Sequence, residues 1–447
     1  MTQPTTLEEK PFHLRDNFAP TFEERTDFDL EVTGAIPPEL RGRFFRNGSN
    51  PASGFSPHWF MGNGMIHGVE LQQGKATWYR NRYVQTPALS DPDAPRTGPD
   101  GASDRTRSLA NTHVICHAGK ILALEEGSFP YELTPELETV GPHDFGGKLK
   151  SAMTAHPKIC PETGELLFFG YDAMPPHLVY HRVAADGTLV QSEEIEVKGP
   201  TMMHDFNVTR NFTIFMDLPM VFDLEAAAQG GMPIRWSDDY GARLGVMPRA
   251  GSNADVVWYE IDPCYVFHPM NAYEDGDRIV LDVARFGKLT MGLDEGDGTP
   301  ARLHRWTIDR ASGKVTDEPL DDRPAEFPRI DNRVIGKKNR YGYMMSAGYG
   351  GPETFGEALF KYDLETGKSW THEFGSGFQA GEPVFALSSN TAAEDEGWLL
   401  TYVYDAARDR SDLVIVDAAN FDQKPVARIH LPCRVPNGFH ASWIPDE

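Results

Sequence analysis

Short apolar runs recur along the chain, and turn residues stand just before most of them. The runs are rich in β-branched and aromatic side chains, which is typical of strands. Six dipeptides among the turns end in glycine, which accepts the positive φ of a tight hairpin. The pattern predicts an all-β chain built from antiparallel hairpins. The runs are KILALEEG at 120–127, ELLFFGYD at 165–172, FTIFMDLP at 212–219, DRIVLDVAR at 277–285, GWLLTYVYD at 397–405 and SDLVIVDA at 411–418. The dipeptides are Thr163-Gly164, Asp186-Gly187, Asp275-Gly276, Ser312-Gly313, Thr366-Gly367 and Glu396-Gly397.

Helical periodicity is scarce in this sequence. Its clearest example is the segment 223–229, where Asp223 is the expected N-cap and Gly230 the expected stop. No Ser-rich or Gly-rich linker and no shift of composition divides the chain. We therefore expect a loose tail at 1–10 and a single domain at 11–447.

Three segments share a pattern in which a histidine precedes an apolar strand by about ten residues. The histidines are His156, His204 and His268, which are 48 and 64 residues apart. Repeats of this size, made of short antiparallel strands, are typical of propeller blades. Hairpins of a β-sandwich that begin with a histidine by coincidence are the alternative. Equivalent positions of the inner strands of a propeller converge on its axis, so the repeat predicts that these histidines meet there.

Charge and composition exclude one class of function and indicate the cellular compartment. The chain has 447 residues, with 42 Lys+Arg against 66 Asp+Glu and a formal net charge of −24. This charge excludes a nucleic-acid protein that holds phosphates through a broad basic surface. The four cysteines form no CxxC unit, which predicts inert thiols. The N-terminal segment has no apolar signal core, and no run of 18 apolar residues occurs, so the expected compartment is the cytosol.

Four of the 15 histidines stand in apolar or small-residue surroundings. They are the three of the repeat and His440, which follows His268 by 172 residues. Desolvated histidines without partners are costly, so several at equivalent positions predict a shared metal. Neutral imidazole suits zinc, copper, iron and nickel. The sequence contains no HExxH, GxGxxG, GxxxxGK[ST] or GxSxG, so zincin hydrolysis, nucleotide binding and elbow-type serine hydrolysis lack support.

An ordered series of motifs resembles the carotenoid cleavage oxygenases, a family that also includes lignostilbene- and isoeugenol-cleaving enzymes. The resemblance runs from about Pro37 to the C-terminus, and ten motifs in one order are highly specific. The first five are FFRNGSNP at 44–51, WFMGNGMIHG at 59–68, NTHVICHAGKILALEEG at 111–127, TAHPK at 154–158 and MMHDFNVT at 202–209. The others are YGARLGVMPR at 240–249, VFHPMNA at 266–272, AEFPRID at 325–331, GEPVF at 381–385 and NGFHASW at 437–443.

The resemblance implies a seven-bladed β-propeller, capped on its top face by a few short helices and loops, with one Fe(II) per chain on the axis. It implies a dioxygenase that inserts both atoms of O2 across one C=C bond, giving two carbonyl products without an organic cofactor. Glutamates of the family accept hydrogen bonds from the ligand imidazoles, which orients them. The residues at the catalytic, metal-ligand positions are His156, His204, His268 and His440. The residues at the glutamate positions are Glu126, Glu326 and Glu382.

The resemblance also bears on the substrate. Stilbene-cleaving members carry a Lys, which holds the phenol oxygen, where this sequence has Glu125. A carboxylate there would repel a phenolate, so we expect a carotenoid or apocarotenoid in preference to a stilbenoid or phenylpropene. Five apolar residues beside the motifs are candidates for lining a substrate tunnel, with core packing as the alternative for each. They are Phe60, Met61, Met65, Met202 and Met203. A propeller binding module with a structural metal is the alternative from another functional class.

Family members often carry an apolar patch at the tunnel mouth, and the segment 215–236 lies at the matching place. Its apolar residues predict a weak, salt-insensitive contact with membranes, and a buried crossover between blades is the alternative. Acidic residues on the segment and the net charge of −24 oppose binding to anionic lipid. The oligomeric state is left open. The apolar residues are Met216, Leu218, Met220, Val221, Phe222 and Leu224.

Overall fold

The predicted apolar runs all form strands, and these strands lie in five of the seven antiparallel sheets that are arranged as the blades of a propeller. The computed structural model describes residues 10–98, 103–228, 233–289, 299–348 and 351–446. Residues 1–9 of the predicted tail lie outside the described residues. The prediction of an all-β, seven-bladed propeller is confirmed.

Blades 2 to 6 each contain four strands, which follow one another in sequence from the axis outward. Blade 2 consists of His113–His117, Lys120–Leu124, Tyr131–Leu133 and Thr139–Pro142. Blade 3 consists of Lys158–Ile159, Leu166–Tyr171, Leu178–Val183 and Leu189–Glu194. Blade 4 consists of Asn207–Val208, Phe212–Asp217, Ala242–Pro248 and Val257–Ile261. Blade 5 consists of Tyr265–Asp275, Arg278–Phe286, Arg302–Asp309 and Lys314–Pro319. Blade 6 consists of Ala325–Arg329, Tyr341–Ser346, Ala358–Asp363 and Lys368–Glu373.

Blades 1 and 7 close the ring because each combines early and late segments of the chain. The late strand Ala441–Pro445 is the inner strand of blade 1, and the early strand Glu31–Gly34 is the outer strand of blade 7. From the inside outward, blade 1 consists of Ala441–Pro445, Gly42–Ser49, Gly64–Gln72, Lys75–Tyr83 and Arg25–Phe28. Blade 7 consists of Phe378–Ala380 and Val384–Leu387, which both pair with Gly397–Asp405, then Arg410–Asp417, Ala427–His430 and Glu31–Gly34.

The other described elements are short. A hairpin joins Met220–Phe222 to Ile234–Trp236. The α-helices are Pro87–Ser90 and Leu224–Ala228. The 3-10 helices are Phe12–Leu14, Asp16–Phe18, Trp59–Met61, Asn253–Asp255, Asn332–Val334 and Gly351–Glu353. The predicted N-cap is confirmed, since Asp223 accepts a hydrogen bond from the Ala226 N–H at 2.9 Å; the predicted stop, Gly230, lies outside the described residues.

The turn glycines were predicted correctly with one exception. Gly164, Gly187, Gly276, Gly313 and Gly367 have φ between 60° and 87°. The sixth, Gly397, is wrong as a positive-φ turn residue, because it begins a strand of blade 7. A Cβ there would lie 2.3 Å from the carbonyl oxygen of Ala386, so close approach of two strands requires glycine at this position.

The predicted apolar patch at 215–236 is mostly wrong in the described residues. Met216, Leu218 and Met220 are at most 2% exposed and belong to the cluster of buried side chains shared by blades 4, 5 and 6. Met216 lies on the second strand of blade 4, and the strand that contains Met220 pairs with 234–236. The segment is therefore a buried crossover. Among the described residues of the segment, Leu224 is the large apolar side chain that is exposed, at 53%.

The antiparallel order of the blades places two kinds of loop on one face, which we call the upper face. These are the loops that lead into the inner strands and the loops between the second and third strands. His440 directly precedes an inner strand, and His268 is the fourth residue of one. His156 and His204 lie two and three residues before the inner strands of blades 3 and 4. The ring therefore brings them to the upper end of the axis.

Arg46 packs into the seam where the ring closes. It lies on the second strand of blade 1, and its guanidinium donates a hydrogen bond to the carbonyl oxygen of Pro436 at 2.5 Å. A Cβ on Gly438 would lie 1.5 Å from Arg46 Nη1, and one on Gly48 would lie 2.6 Å from it. Two motifs that are remote in sequence, FFRNGSNP and NGFHASW, therefore fit together through one buried cation.

No helix among the described residues is both long and apolar enough to cross a bilayer.

Gly438→Ala tests the packing of this seam. We expect the free energy of unfolding to fall by about 1–3 kcal/mol, because the added methyl would overlap a buried guanidinium that is hydrogen-bonded to Pro436 and would lie 2.9 Å from the carbonyl oxygen of Asn47. Gly287→Ala is the matched control, since its Cβ would meet no atom of the described residues nearer than 3.4 Å, and we expect a change within about 0.5 kcal/mol. Urea unfolding of both variants measures the difference, and equal stability of Gly438→Ala and wild type would contradict this account.

Candidate metal centre

The four histidines predicted to meet do converge. One ring nitrogen from each lies within 4.8 Å of the others, and the Nε2 atoms of His204 and His268 are 3.2 Å apart. The ring of His156 lies 4.3 to 5.1 Å from the other three rings, measured between centroids. Blades 3, 4, 5 and 1 supply His156, His204, His268 and His440 in that order. Residues far apart in sequence thus form one buried cluster.

Three of the imidazoles face a glutamate with the nitrogen that points away from the cluster. Nδ1 of His204 lies 2.6 Å from Glu126 Oε1. Nδ1 of His268 lies 2.7 Å from Glu326 Oε2, and Nδ1 of His440 lies 3.0 Å from Glu382 Oε1. The structure therefore brings the three predicted glutamates against the cluster. Such contacts fix the tautomer that leaves Nε2 free, and they make each imidazole a stronger electron donor.

Other groups hold the glutamates in place. The Tyr171 hydroxyl donates to Glu126 Oε2, and the Phe327 N–H donates to Glu326 Oε2. Glu382 Oε2 accepts a hydrogen bond from the Ala441 N–H at 2.7 Å, and Arg329 Nη1 lies 3.5 Å from its other oxygen. Each carboxylate is thus oriented before any metal binds.

Burial keeps most of these imidazoles neutral. It lowers the pKa of His268 to about 3 and holds the pKa values of His156 and His440 well below 6.5. Burial also raises the pKa of Glu326 to about 8. Burial acts to lower the pKa of His204 as well, but the charge of Glu126 outweighs it and the pKa is raised.

The donor set fits a metal that prefers nitrogen. His156 Nε2 is buried without a hydrogen-bond partner, although Glu126 Oε1 lies 3.5 Å away. An orphaned ring nitrogen beside three converging imidazoles is expensive unless a cation occupies the space between them. Four neutral imidazoles suit zinc, copper, iron or nickel, whereas calcium and magnesium require oxygen ligands.

A fifth buried histidine lies beside the cluster without joining it. The His113 ring is 5.3 Å from that of His440. Its Nδ1 donates to the Ala155 carbonyl at 2.8 Å, and its Nε2 accepts from the Ser442 hydroxyl at 3.1 Å. Both nitrogens are therefore occupied, so His113 has no lone pair to offer a metal.

Aromatic rings border the cluster. Phe327 stacks on His268 with 4.9 Å between centroids and lies 5.1 Å from His440. Phe267 meets His204 edge-on at 5.1 Å. Phe355 lies 6.1 Å from Phe327 and extends the apolar wall toward the N-terminal segment. The space next to the imidazoles is therefore apolar on these sides.

The five predicted tunnel residues lie in different surroundings. Met65, Met202 and Met203 are at most 3% exposed and pack in the blade interiors, which is the arrangement that the core-packing alternative describes. Phe60 is partly buried, 5.7 Å from the Phe439 ring, and Met61 is 43% exposed on the upper face. Their contact with a substrate stays a prediction.

The carboxylate of Glu125 has a cation and two hydrogen-bond donors beside it. Arg96 Nη2 lies 3.3 Å from its Oε1, the Ser108 hydroxyl donates to its Oε2 at 3.2 Å, and the Gly127 N–H donates at 3.2 Å. Arg96 lies 29 residues earlier in the chain, so sequence reasoning about Glu125 alone missed this partner. The pair presents much less negative charge than the sequence indicates.

Other residues around the cluster were also missed. Tyr171, Arg329 and Phe327 stand inside the motifs or strands already identified, but nothing in the sequence separates them from ordinary strand residues. Phe327 has a positive φ of 53°, unusual for a phenylalanine, which accompanies its N–H contact with Glu326. Asp205 directly follows His204, so its position was the one available signal.

Comparison with known proteins agrees with this geometry. The family model described as retinal pigment epithelial membrane protein matches residues 18–445. A carotenoid cleavage oxygenase of Mycobacterium tuberculosis is 39% identical, over all of both chains. A carotenoid 9,10(9',10')-cleavage dioxygenase of Arabidopsis thaliana is 33% identical, over 98% of this chain and 90% of that one.

The fold agrees over the same extent. The crystal structure of a lignostilbene dioxygenase from Pseudomonas brassicacearum superimposes with a TM-score of 0.89 at 30% identity, over all of both chains. Sequence, fold and the buried histidine cluster thus point the same way. The chain belongs to the carotenoid cleavage oxygenase family.

Proposed function

We propose that this protein is a non-haem Fe(II) dioxygenase that cleaves one C=C bond of a carotenoid or apocarotenoid with O2 and releases two carbonyl products. The observation that carries the proposal is the buried cluster of four imidazoles, three of them oriented by glutamates. Under this proposal His156, His204, His268 and His440 hold one iron per chain. Glu126, Glu326 and Glu382 orient the ligands.

The reaction requires the protein mainly to hold the metal and to position the substrate beside it. Iron(II), when bound, supplies the activation of O2 next to the alkene. Imidazoles bound to a metal carry no charge, so these four ligands would leave the charge of the metal uncompensated. Both oxygen atoms end in the products, so no reductant and no organic cofactor enter the balance. No side chain is required as a nucleophile.

The aromatic wall supports an apolar substrate. Phe267 and Phe327 flank the imidazoles and would exclude water from the reacting double bond. A polyene gains binding free energy from such a wall, at roughly 25 cal/mol per Å² of apolar surface buried. Its conjugated double bonds are electron-rich without assistance from a charged group.

A stilbenoid or phenylpropene is the second candidate, and the Arg96–Glu125 pair is the observation in its favour. The sequence predicted that Glu125 repels a phenolate, but the neighbouring guanidinium offsets that charge. The pair offers no unpaired cation to a phenolate either, since Arg96 also donates to the Ser128 hydroxyl and the Arg107 carbonyl. We therefore retain the polyene as the preferred substrate.

We also infer a weak contact with lipid through the upper face. Its loops expose Met61, Met174 and Leu224, at 43%, 61% and 53%, together with Phe55 at 37%. These side chains are scattered, which limits the apolar area that they offer. The net charge of −24 opposes anionic lipid. A cytosolic location remains a prediction.

His204→Ala tests the metal ligands. We expect loss of most of the iron and nearly all activity while the circular dichroism spectrum is retained, because the blades bury their cores without the metal. Glu382→Gln should weaken metal affinity or activity by roughly 10–100-fold. His181→Ala is the matched control, since His181 is buried but bonds only to Ser151 and Ser192 in blade 3. Wild-type iron content and turnover in His204→Ala would remove this assignment.

A direct competition tests the substrate class. Iron-loaded protein is offered an apocarotenal and a 4-hydroxystilbene at equal concentration, and products and O2 uptake are measured. We expect faster cleavage of the apocarotenal, with little change in Glu125→Ala or Arg96→Ala, because a polyene carries no charge to pair with them. Faster stilbene cleavage, or a large loss of it in Glu125→Ala, would favour the stilbenoid. Tightly held metal without O2 uptake on either substrate would favour a binding module.

Flotation with liposomes tests the lipid contact. We expect a small fraction of the protein to float with neutral phosphatidylcholine vesicles, with little dependence on salt because the contact is apolar. The double variant Met174→Ser, Leu224→Ser should float less. A protein that never floats, or a variant that floats as well as wild type, would exclude these loops.

A further inference from the structure

His156 differs from the other three clustered histidines because no glutamate of the described residues accepts a hydrogen bond from its Nδ1. The carboxylate that faces this nitrogen belongs to Asp205, whose Oδ2 lies 3.6 Å away. Glu126 lies on the opposite side, 3.5 Å from Nε2, and is already engaged by His204 and Tyr171. Asp205 is therefore the acidic group in position to orient this ring.

The two oxygens of Asp205 have different partners. Oδ1 accepts hydrogen bonds from Lys158 Nζ at 2.8 Å and from the Phe206 N–H at 2.6 Å. Oδ2 is left toward His156. The Asp205 side chain is 3% exposed, and a buried carboxylate without a cation would be costly. Lys158 thus holds the carboxylate and directs its second oxygen at the ring.

Lys158 and Asp205 each stand close in sequence to one of the clustered histidines. Lys158 follows His156 by two residues, so in extended backbone the two side chains leave the same face. Asp205 directly follows His204. The segment that enters blade 3 therefore carries a histidine and a cation, and the segment that enters blade 4 carries a histidine and the matching anion.

We propose that Asp205, held by Lys158, is the positioning residue for His156 and completes the set of carboxylates around the metal site. This proposal rests on the proposed metal role of the four histidines. It assigns to the Lys158–Asp205 pair a function beyond stability, which is to present His156 Nε2 to the ion.

A measurement of metal affinity distinguishes a role of Asp205 in positioning His156 from a role in stability alone. Apoprotein is loaded with Co(II), whose visible absorption reports the ligand geometry, and the affinity is measured by competition with a chelator. We expect Asp205→Asn to lower the affinity by about 10–100-fold and to alter the absorption spectrum, because a neutral amide is a weaker acceptor. Lys158→Met should lower the affinity less than Asp205→Asn does. Lys158→Arg keeps the positive charge and should retain the wild-type affinity.

Asp282→Asn is the matched control. Asp282 is also buried and makes two hydrogen bonds, at 2.7 and 2.9 Å, to Arg305 within blade 5. We expect this variant to lose thermal stability but to bind Co(II) like wild type. An equal loss of affinity in Asp282→Asn, or wild-type affinity and spectrum in Asp205→Asn, would overturn the proposal.

The remaining outcomes are also decisive. If Asp205→Asn does not fold, Lys158→Met decides, and wild-type affinity in that variant overturns the proposal. If wild-type protein does not bind one Co(II) per chain, the four-histidine site itself fails. That result is distinct from the case in which wild type binds the metal and Asp205→Asn binds it equally well.

Discussion

Everything at the upper end of the axis depends on keeping four imidazoles close together in a dry environment. Burial drives most of the rings to the neutral form, and neutral rings can turn either nitrogen toward the centre. The acceptor on the outer nitrogen removes that freedom. Glu326 and Glu382 each come from a blade next to that of their histidine, and each lies 58 residues from it in sequence. The propeller thus repeats one device, in which one blade presents a base and its neighbour orients that base.

All seven blades take part in this arrangement. Blades 1, 3, 4 and 5 present the histidines, and blades 2, 6 and 7 present the glutamates. Outer strands and the buried clusters between blades hold the inner strands at a fixed angle. A shift of one blade would therefore move a histidine and its acceptor apart, which connects packing far from the axis to the geometry of the site.

The sequence predicted well whatever depends on local pattern or on position within a repeat. Strand runs, most turn glycines and the convergence of the histidines followed from such signals, whereas the three glutamates followed from the resemblance of their motifs to the family. It failed where the outcome depends on which side chains meet in three dimensions. The 215–236 segment is apolar in sequence yet turns its methionines inward, and Glu125 acquires a partner, Arg96, from another loop. Gly397 was assigned to a turn, but it stands where two strands approach closely. Glycine serves both purposes, and the sequence does not distinguish them.

The closure of the ring has a consequence for biosynthesis. His440 is made 172 residues after His268, and it directly precedes the inner strand of blade 1. During translation, blades 2 to 6 emerge while the strands at 42–83 still lack their innermost neighbour. A nascent chain can therefore offer three imidazoles to a metal but not the fourth, and the last ligand arrives together with the strand that locks the ring. The metal site and the ring of blades are therefore completed together, late in translation.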